Sequence, residues 1–166
     1  MLTEAQLKRS PLYAEQLGIR LSAENDVELF KWFLASRLFG GRIAETVAMH
    51  TYRSFETYKL LSPRKILTAG WDFLVNPVMR EGGYVRYDES RSRQLLRNCR
   101  QLLDEYNGSL NDLHATATDA GDLEQRLLAS YGVGPVTVNI FLRELRPYWK
   151  KADPEPLPVV TELAER

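Results

Sequence analysis

The chain has 166 residues, with 22 Lys+Arg against 22 Asp+Glu, 44% hydrophobic residues, 27% charged residues and a single cysteine. That profile fits one globular domain with a sizeable core, and it excludes an internal disulfide framework and any multi-cysteine metal site. No apolar run approaches a membrane span and the start carries no signal-peptide pattern, so no membrane partner is expected and the expected compartment is a reducing cytoplasm, nucleoid-associated in a prokaryote.

Taken in order, almost every segment reads as helix. Thr3 and Gln6 have the spacing of a capping box, and Ser10-Pro11 opens a second short helix that stops at Gly18. Val27, Phe30, Phe33, Leu34 and Leu38 recur at helical spacing up to Gly40-Gly41. Ile43, Val47 and Phe55 mark a long helix to about Leu60. Ser62-Pro63 starts another, closed by Gly70, and Trp71 to Met79 gives a further turn or two interrupted at Pro77. The most regular helix runs from Asp88 to Tyr106, with Leu95, Leu96, Cys99, Leu102 and Leu103 on one side, and Asn107-Gly108 ends it. Short helices follow over Leu110 to His114 and Asp122 to Ser130, and another begins at Pro135 and ends near Leu145. Pro147, Pro154, Pro156 and Pro158 keep the tail extended until about Val160. No alternating strand pattern stands out, so the expected fold class is all-α.

The most informative stretch is Leu127-Leu128-Ala129-Ser130-Tyr131-Gly132-Val133-Gly134-Pro135-Val136-Thr137-Val138-Asn139. Two helical patterns flank a Gly-Val-Gly corner, which makes a hairpin. Gly132 and Gly134 permit positive φ and close approach of a ligand to bare backbone. Pro135 suits the first position of a helix. The amides of Gly132, Val133, Gly134, Val136 and Thr137 then converge at the positive end of a helix dipole, an arrangement that suits a phosphate. The plain alternative is a tight turn that only packs.

Zero net charge counts against a nucleic-acid partner, but the charge is unevenly distributed. From 126 to 151 the basic residues Arg126, Arg143, Arg146, Lys150 and Lys151 face Glu144 alone. From 80 to 100, Arg80, Arg86, Arg91, Arg93, Arg97 and Arg100 stand against Glu81, Asp88 and Glu89. A basic face on a neutral protein is an adequate DNA footprint. His50 and His114 are isolated, without neighbours at zinc-ligand spacing. Cys99 lies on an apolar helix face as a small hydrophobe. Trp32, Trp71 and Trp149 read as core, with Trp149, near Asp153, alternatively lining a pocket.

The pattern Leu-x-x-x-Gly-Val-Gly-x-x-Thr-x-Asn, followed by an apolar helix and Asp153, resembles the helix-hairpin-helix DNA glycosylases, especially the endonuclease III branch. Cys99-Arg100-Gln101-Leu102-Leu103 and Asn107-Gly108 match that branch's Cys-Arg-x-Leu-Leu…Asn-Gly stretch. Leu34-Ala35-Ser36-Arg37 falls where the family has an apolar helix ending in a short polar segment. The resemblance covers roughly 26–153, leaving 1–25 as an N-terminal helical extension and 154–166 as a Pro-rich tail.

What the resemblance implies is a helical bundle of that glycosylase type and a double-stranded, damaged DNA partner. Asp153 would be the catalytic carboxylate, stabilising the positive charge that develops on the sugar as the glycosidic bond breaks. Lys150 and Lys151 would join the hairpin residues on phosphate. Arg37 or Phe39 would fill the gap left by an extruded base. A sodium or potassium ion would sit on the backbone carbonyls around Tyr131 and Val133. The sequence departs from the family at three points. Val136 stands where bifunctional members carry the lysine nucleophile, which implies a monofunctional enzyme without lyase activity. No cysteine follows Cys99, so no iron–sulfur cluster is expected. Only 13 residues follow Asp153, so the second lobe is reduced, and residues 1–25 or a partner chain would have to complete the cleft. A non-catalytic DNA-binding module with an incomplete base pocket, and a helical partner domain, remain open alternatives.

Overall fold

In the computed structural model, residues 13–39 and 43–154 are described. The expected capping box at Thr3, the helix start at Ser10, the stop at Gly40-Gly41 and the tail from 155 onward lie outside them. Every element among the described residues is helical: α1 (Tyr13–Gln16), α2 (Asp26–Phe39), α3 (Glu45–Thr57), α4 (Pro63–Phe73), a π-helical segment (Leu74–Met79), α5 (Asp88–Tyr106), α6 (Leu110–Thr116), α7 (Ala120–Leu128) and α8 (Pro135–Arg143). No helix of the described residues is long and apolar enough to cross a membrane.

Local chemistry accounts for most of the boundaries. Ser62 Oγ accepts the Lys65 amide at the start of α4, and Pro63 occupies the first helical position. The helix breaks at Gly70, where φ is 81°. Asn107, at φ 57°, ends α5 with its amide on the Leu102 carbonyl. Ser109 Oγ caps α6 by accepting the Asp112 amide at 3.0 Å. α7 begins two residues earlier than its apolar pattern suggests. The reason is Asp119, whose carboxylate accepts the Asp122 amide at 2.8 Å and recruits Ala120 and Gly121 into the helix.

α2 is the axis of the bundle. Leu29, Phe30 and every residue from Trp32 to Phe39 are buried, so the helix is enclosed all round, as a central element must be. Each large apolar side chain so enclosed contributes about 1.5–3 kcal/mol relative to exposure. α2 packs against α3, α6 and α8; α4 lies along α5; and α7 turns back on α8. Asp26, at the head of α2, accepts from Ser109 Oγ and the Asn111 amide, which fastens α2 to the start of α6. Cys99 is buried, and desolvation pushes its thiol up to about 12, leaving an inert packing group.

Glu144, just past α8, is buried and accepts the amides of Tyr13 at 3.1 Å and Ala14 at 3.0 Å. Its carboxylate therefore caps α1 and ties the N-terminal helix to the hairpin helix. Burial raises its pKa, while the two amides and Arg143 oppose that shift. Glu144→Ala leaves those amides without their acceptor. It is expected to cost about 1–3 kcal/mol in urea unfolding, and Glu144→Gln less.

Candidate nucleic-acid interface

The α7–α8 connection is a hairpin, as its glycines suggest. Val133 is buried beneath the corner and donates to the Ser130 carbonyl at 3.0 Å, closing the turn. Gly132 takes φ 74°, and a Cβ built there would lie 2.4 Å from Cδ of Gln94. This glycine is demanded by both conformation and space. Gly134 differs from the expectation: its φ is −109°, ordinary extended backbone, and a Cβ there would meet nothing within 4 Å. Its bare backbone faces open space, so packing gives no reason for a glycine.

Gly134 is the N-cap of α8 and has no side-chain cap, and the first α-helical bond is from the Val138 amide to the Gly134 carbonyl. Among the described residues the amides of Gly134, Val136 and Thr137 have no hydrogen-bond partner. These donors stand at the positive end of the helix dipole. Val136 is 46% exposed, an apolar side chain facing solvent at the start of α8.

Beneath the corner lies a polar cluster. Arg37 is fully buried, and its Nε donates to Asn98 Oδ1 at 3.0 Å, Nη1 to the Gly132 carbonyl at 3.2 Å and Nη2 to Gln94 Oε1 at 2.5 Å. Asn98 passes the connection on, its Nδ2 donating to the Tyr131 carbonyl at 3.0 Å. Gln94 Oε1 also accepts from Arg91 Nη1 at 2.8 Å, and Arg91 Nε donates to the Tyr84 hydroxyl at 3.1 Å. No carboxylate enters this cluster among the described residues. Desolvation first, and then the Arg91 charge, lower Arg37 to about 9, which leaves it cationic at neutral pH. In the sequence, Gln94 and Asn98 carry no signal beyond four-residue spacing beside the apolar face of α5.

Arg37 and Phe39 are therefore corrected as inserting side chains. Arg37 is consumed under the hairpin, and Phe39 is buried with its ring stacked on Tyr13 at 4.4 Å. Both belong to a helix enclosed on every side, so neither projects. The carbonyl sites of the expected cation are also altered. Of the two expected carbonyls, that of Tyr131 already accepts from Asn98, whereas that of Val133 has no donor on it among the described residues. The Gly132 carbonyl between them accepts from the Arg37 guanidinium, which would repel a cation held beside it, by about 4 kcal/mol for two unit charges 4 Å apart near a protein surface. No group of three His, Cys, Asp or Glu stands together among the described residues to hold another metal.

Lys151 is corrected too. Its ammonium donates to the carbonyls of His114, at 2.9 Å, and Ala117, at the C-terminal end of α6, where a cation is favoured. Lys150 is exposed. Trp149 is buried, stacked on His114 at 4.5 Å, with Nε1 donating to Asn111 Oδ1 at 3.0 Å. It packs against α6. Asp153 is exposed. The chain on either side of it is pinned, by buried Ala152 on the Trp149 carbonyl and by Pro154, whose carbonyl accepts from Arg146.

The basic runs divide in the same way. Arg80 pairs with Asp88 and Arg126 with Asp122. Arg93, Arg97 and Arg100 are exposed along one side of α5 and pair with no acid among the described residues. The Arg97 guanidinium lies 4.2 Å from the centre of the Tyr131 ring, which joins this row to the hairpin. Arg97 and Arg100 also border an open cleft of about 650 Å³ between α4 and α5, with Leu67, Gly70, Leu96 and Asp104. Asp153 is not part of that cleft. No family model, no curated protein and no solved structure matches the chain.

Gly132→Ala must strain φ and displace Gln94 from both guanidinium groups. The expected loss is about 2–4 kcal/mol in urea unfolding, from left-handed strain together with broken charge-assisted bonds. A pH effect follows from His114, whose Nε2 accepts the Lys151 amide at 3.3 Å and whose pKa is lowered by burial and then by Lys151. The unfolded chain then binds a proton more readily than the folded one. This contribution is complete above the ordinary value of 6.5 and is lost as pH falls from there toward the lowered one. Melting temperature should decline over that interval in wild type and hold steadier in His114→Gln.

Proposed function

We propose that the chain binds the backbone of double-stranded DNA at the α7–α8 hairpin and acts there as a monofunctional base-excision N-glycosylase. The observation that carries the reading is the uncapped start of α8. Three unpaired amides, at Gly134, Val136 and Thr137, stand at the positive end of a helix dipole beside the exposed row Arg93, Arg97 and Arg100. A phosphate satisfies such donors, and the arginines extend the contact to neighbouring phosphates. Asp153 supplies the carboxylate on a pinned segment. Water adds to the sugar's anomeric carbon, the carbon–nitrogen bond to the base breaks, and the base leaves with a proton. With Val136 in place of an amine, the abasic strand stays uncut.

A specific observation favours a second reading, the non-catalytic DNA-binding module. Arg37 and Phe39 are both buried, so neither of the two candidates is presented to replace an extruded base.

One set of experiments tests both readings. With about four phosphate contacts, duplex affinity measured by fluorescence anisotropy should fall with salt at a log–log slope of about −3 to −4. Gly134→Ala should leave the melting temperature unchanged, since its Cβ meets nothing. It should weaken binding about tenfold, the equivalent of one charge-assisted hydrogen bond. Duplexes carrying uracil, oxidised or alkylated bases are then incubated with protein and treated with alkali. Breakage that vanishes in Asp153→Asn supports the glycosylase; salt-sensitive binding without breakage supports the module; absence of binding removes both.

A further inference from the structure

Two successive carbonyls of the hairpin corner, those of Tyr131 and Gly132, are already engaged by the protein's own donors. Gly132 presents its carbonyl to Arg37 at 3.2 Å, and Tyr131 presents its own to Asn98, the same Asn98 whose oxygen Arg37 holds at 3.0 Å. A second guanidinium, Arg91, shares the Gln94 oxygen with Arg37. The cluster thus places positive charge directly under the corner, and every acceptor in it is neutral. An anion on the outer face of the hairpin is the counter-charge that this cluster lacks.

We propose that the Arg37 guanidinium takes the place of a hairpin cation. It holds the Gly132 carbonyl and supplies the positive charge behind the phosphate-facing amides, so that DNA binding by this chain is indifferent to which monovalent cation is present. This rests on the DNA-binding reading and names Arg37 as a positioning residue for it. A guanidinium suits the task because its planar fork fixes three acceptors at once and it keeps its charge when desolvated. It is covalently part of the fold, so nothing need be captured from solution before DNA binds.

The test compares duplex affinity in potassium, sodium and N-methylglucamine chloride at equal ionic strength. Wild type should show the same affinity in all three, within about twofold. Arg37→Ala should lose about tenfold or more, the worth of its charge-assisted bonds, and regain part of that in dilute guanidinium chloride beyond a sodium chloride control. Rescue by itself would also follow from refilling a structural cavity, so the comparison among the three cations is the deciding readout. Tighter wild-type binding in potassium or sodium than in N-methylglucamine, beyond twofold, overturns the proposal, as does unimpaired binding by Arg37→Ala. If Arg37→Ala does not fold, Arg37→Lys serves, keeping the charge without the fork. Its binding should be weakened yet still indifferent to the cation; unweakened binding, or a cation preference, overturns the proposal. Wild-type melting temperature in the same three salts gives a readout without DNA. It should not vary, whereas a rise specific to potassium or sodium reveals a bound ion and overturns the proposal. Failure of wild type to bind any duplex defeats the DNA reading, and the melting comparison still decides whether the carbonyls take a cation.

Discussion

A guanidinium with no access to solvent and no carboxylate beside it is costly to bury, and in this molecule the geometry of the hairpin depends on one. Arg37 reaches from the end of α2 to acceptors on α5 and on the corner, so three segments distant in sequence meet at a single planar group. Removing any one acceptor would leave a buried N–H of a charged group without a partner, a larger cost than the net worth of an ordinary hydrogen bond. The corner is therefore held from below by charge-assisted bonds.

That support explains how an uncapped helix start can be stable. At α4, α6 and α7, a serine or aspartate at the N-cap satisfies an orphan amide. At α8 the N-cap is Gly134, and the first turn is fixed instead by Pro135, by the buried Val133 and by the cluster beneath. Donors left unpaired by the fold remain available to an external acceptor. The Arg93, Arg97 and Arg100 row extends the same positive field along α5, and the Tyr131–Arg97 contact fixes its nearer end. Asp153 draws its order from a different source: Trp149 stacks on His114 of α6, Lys151 caps that helix and Arg146 holds the Pro154 carbonyl, so the segment carrying the carboxylate is anchored from both sides.

Element type and most boundaries were legible because their causes are local. Ser62-Pro63, Asn107-Gly108 and Pro135 each act through their own backbone and immediate neighbours, and the chain obeyed them. The start of α7 departs from its hydrophobic spacing because the Asp119 side chain caps the helix three residues before Asp122. Lys150 and Lys151 are adjacent and chemically alike, yet one is exposed and the other is spent on α6 carbonyls. The two glycines of the corner looked equivalent as well. Gly132 is required by positive φ and by Gln94, whereas Gly134 is extended and faces open space.

The sequence by itself determined the helical class, the hairpin, the absence of an amine at position 136 and the excess of arginine in two runs. Those properties belong to residue types and to spacings of a few positions. Only the tertiary structure decided which arginines meet solvent, that Arg37 and Phe39 turn inward, and that the carbonyls of Tyr131 and Gly132 are engaged from within. Burial and pairing depend on what other segments bring to a point, and α2, α5 and the corner converge through contacts spanning up to 95 positions. No pattern read along one segment encodes the partner that another will supply.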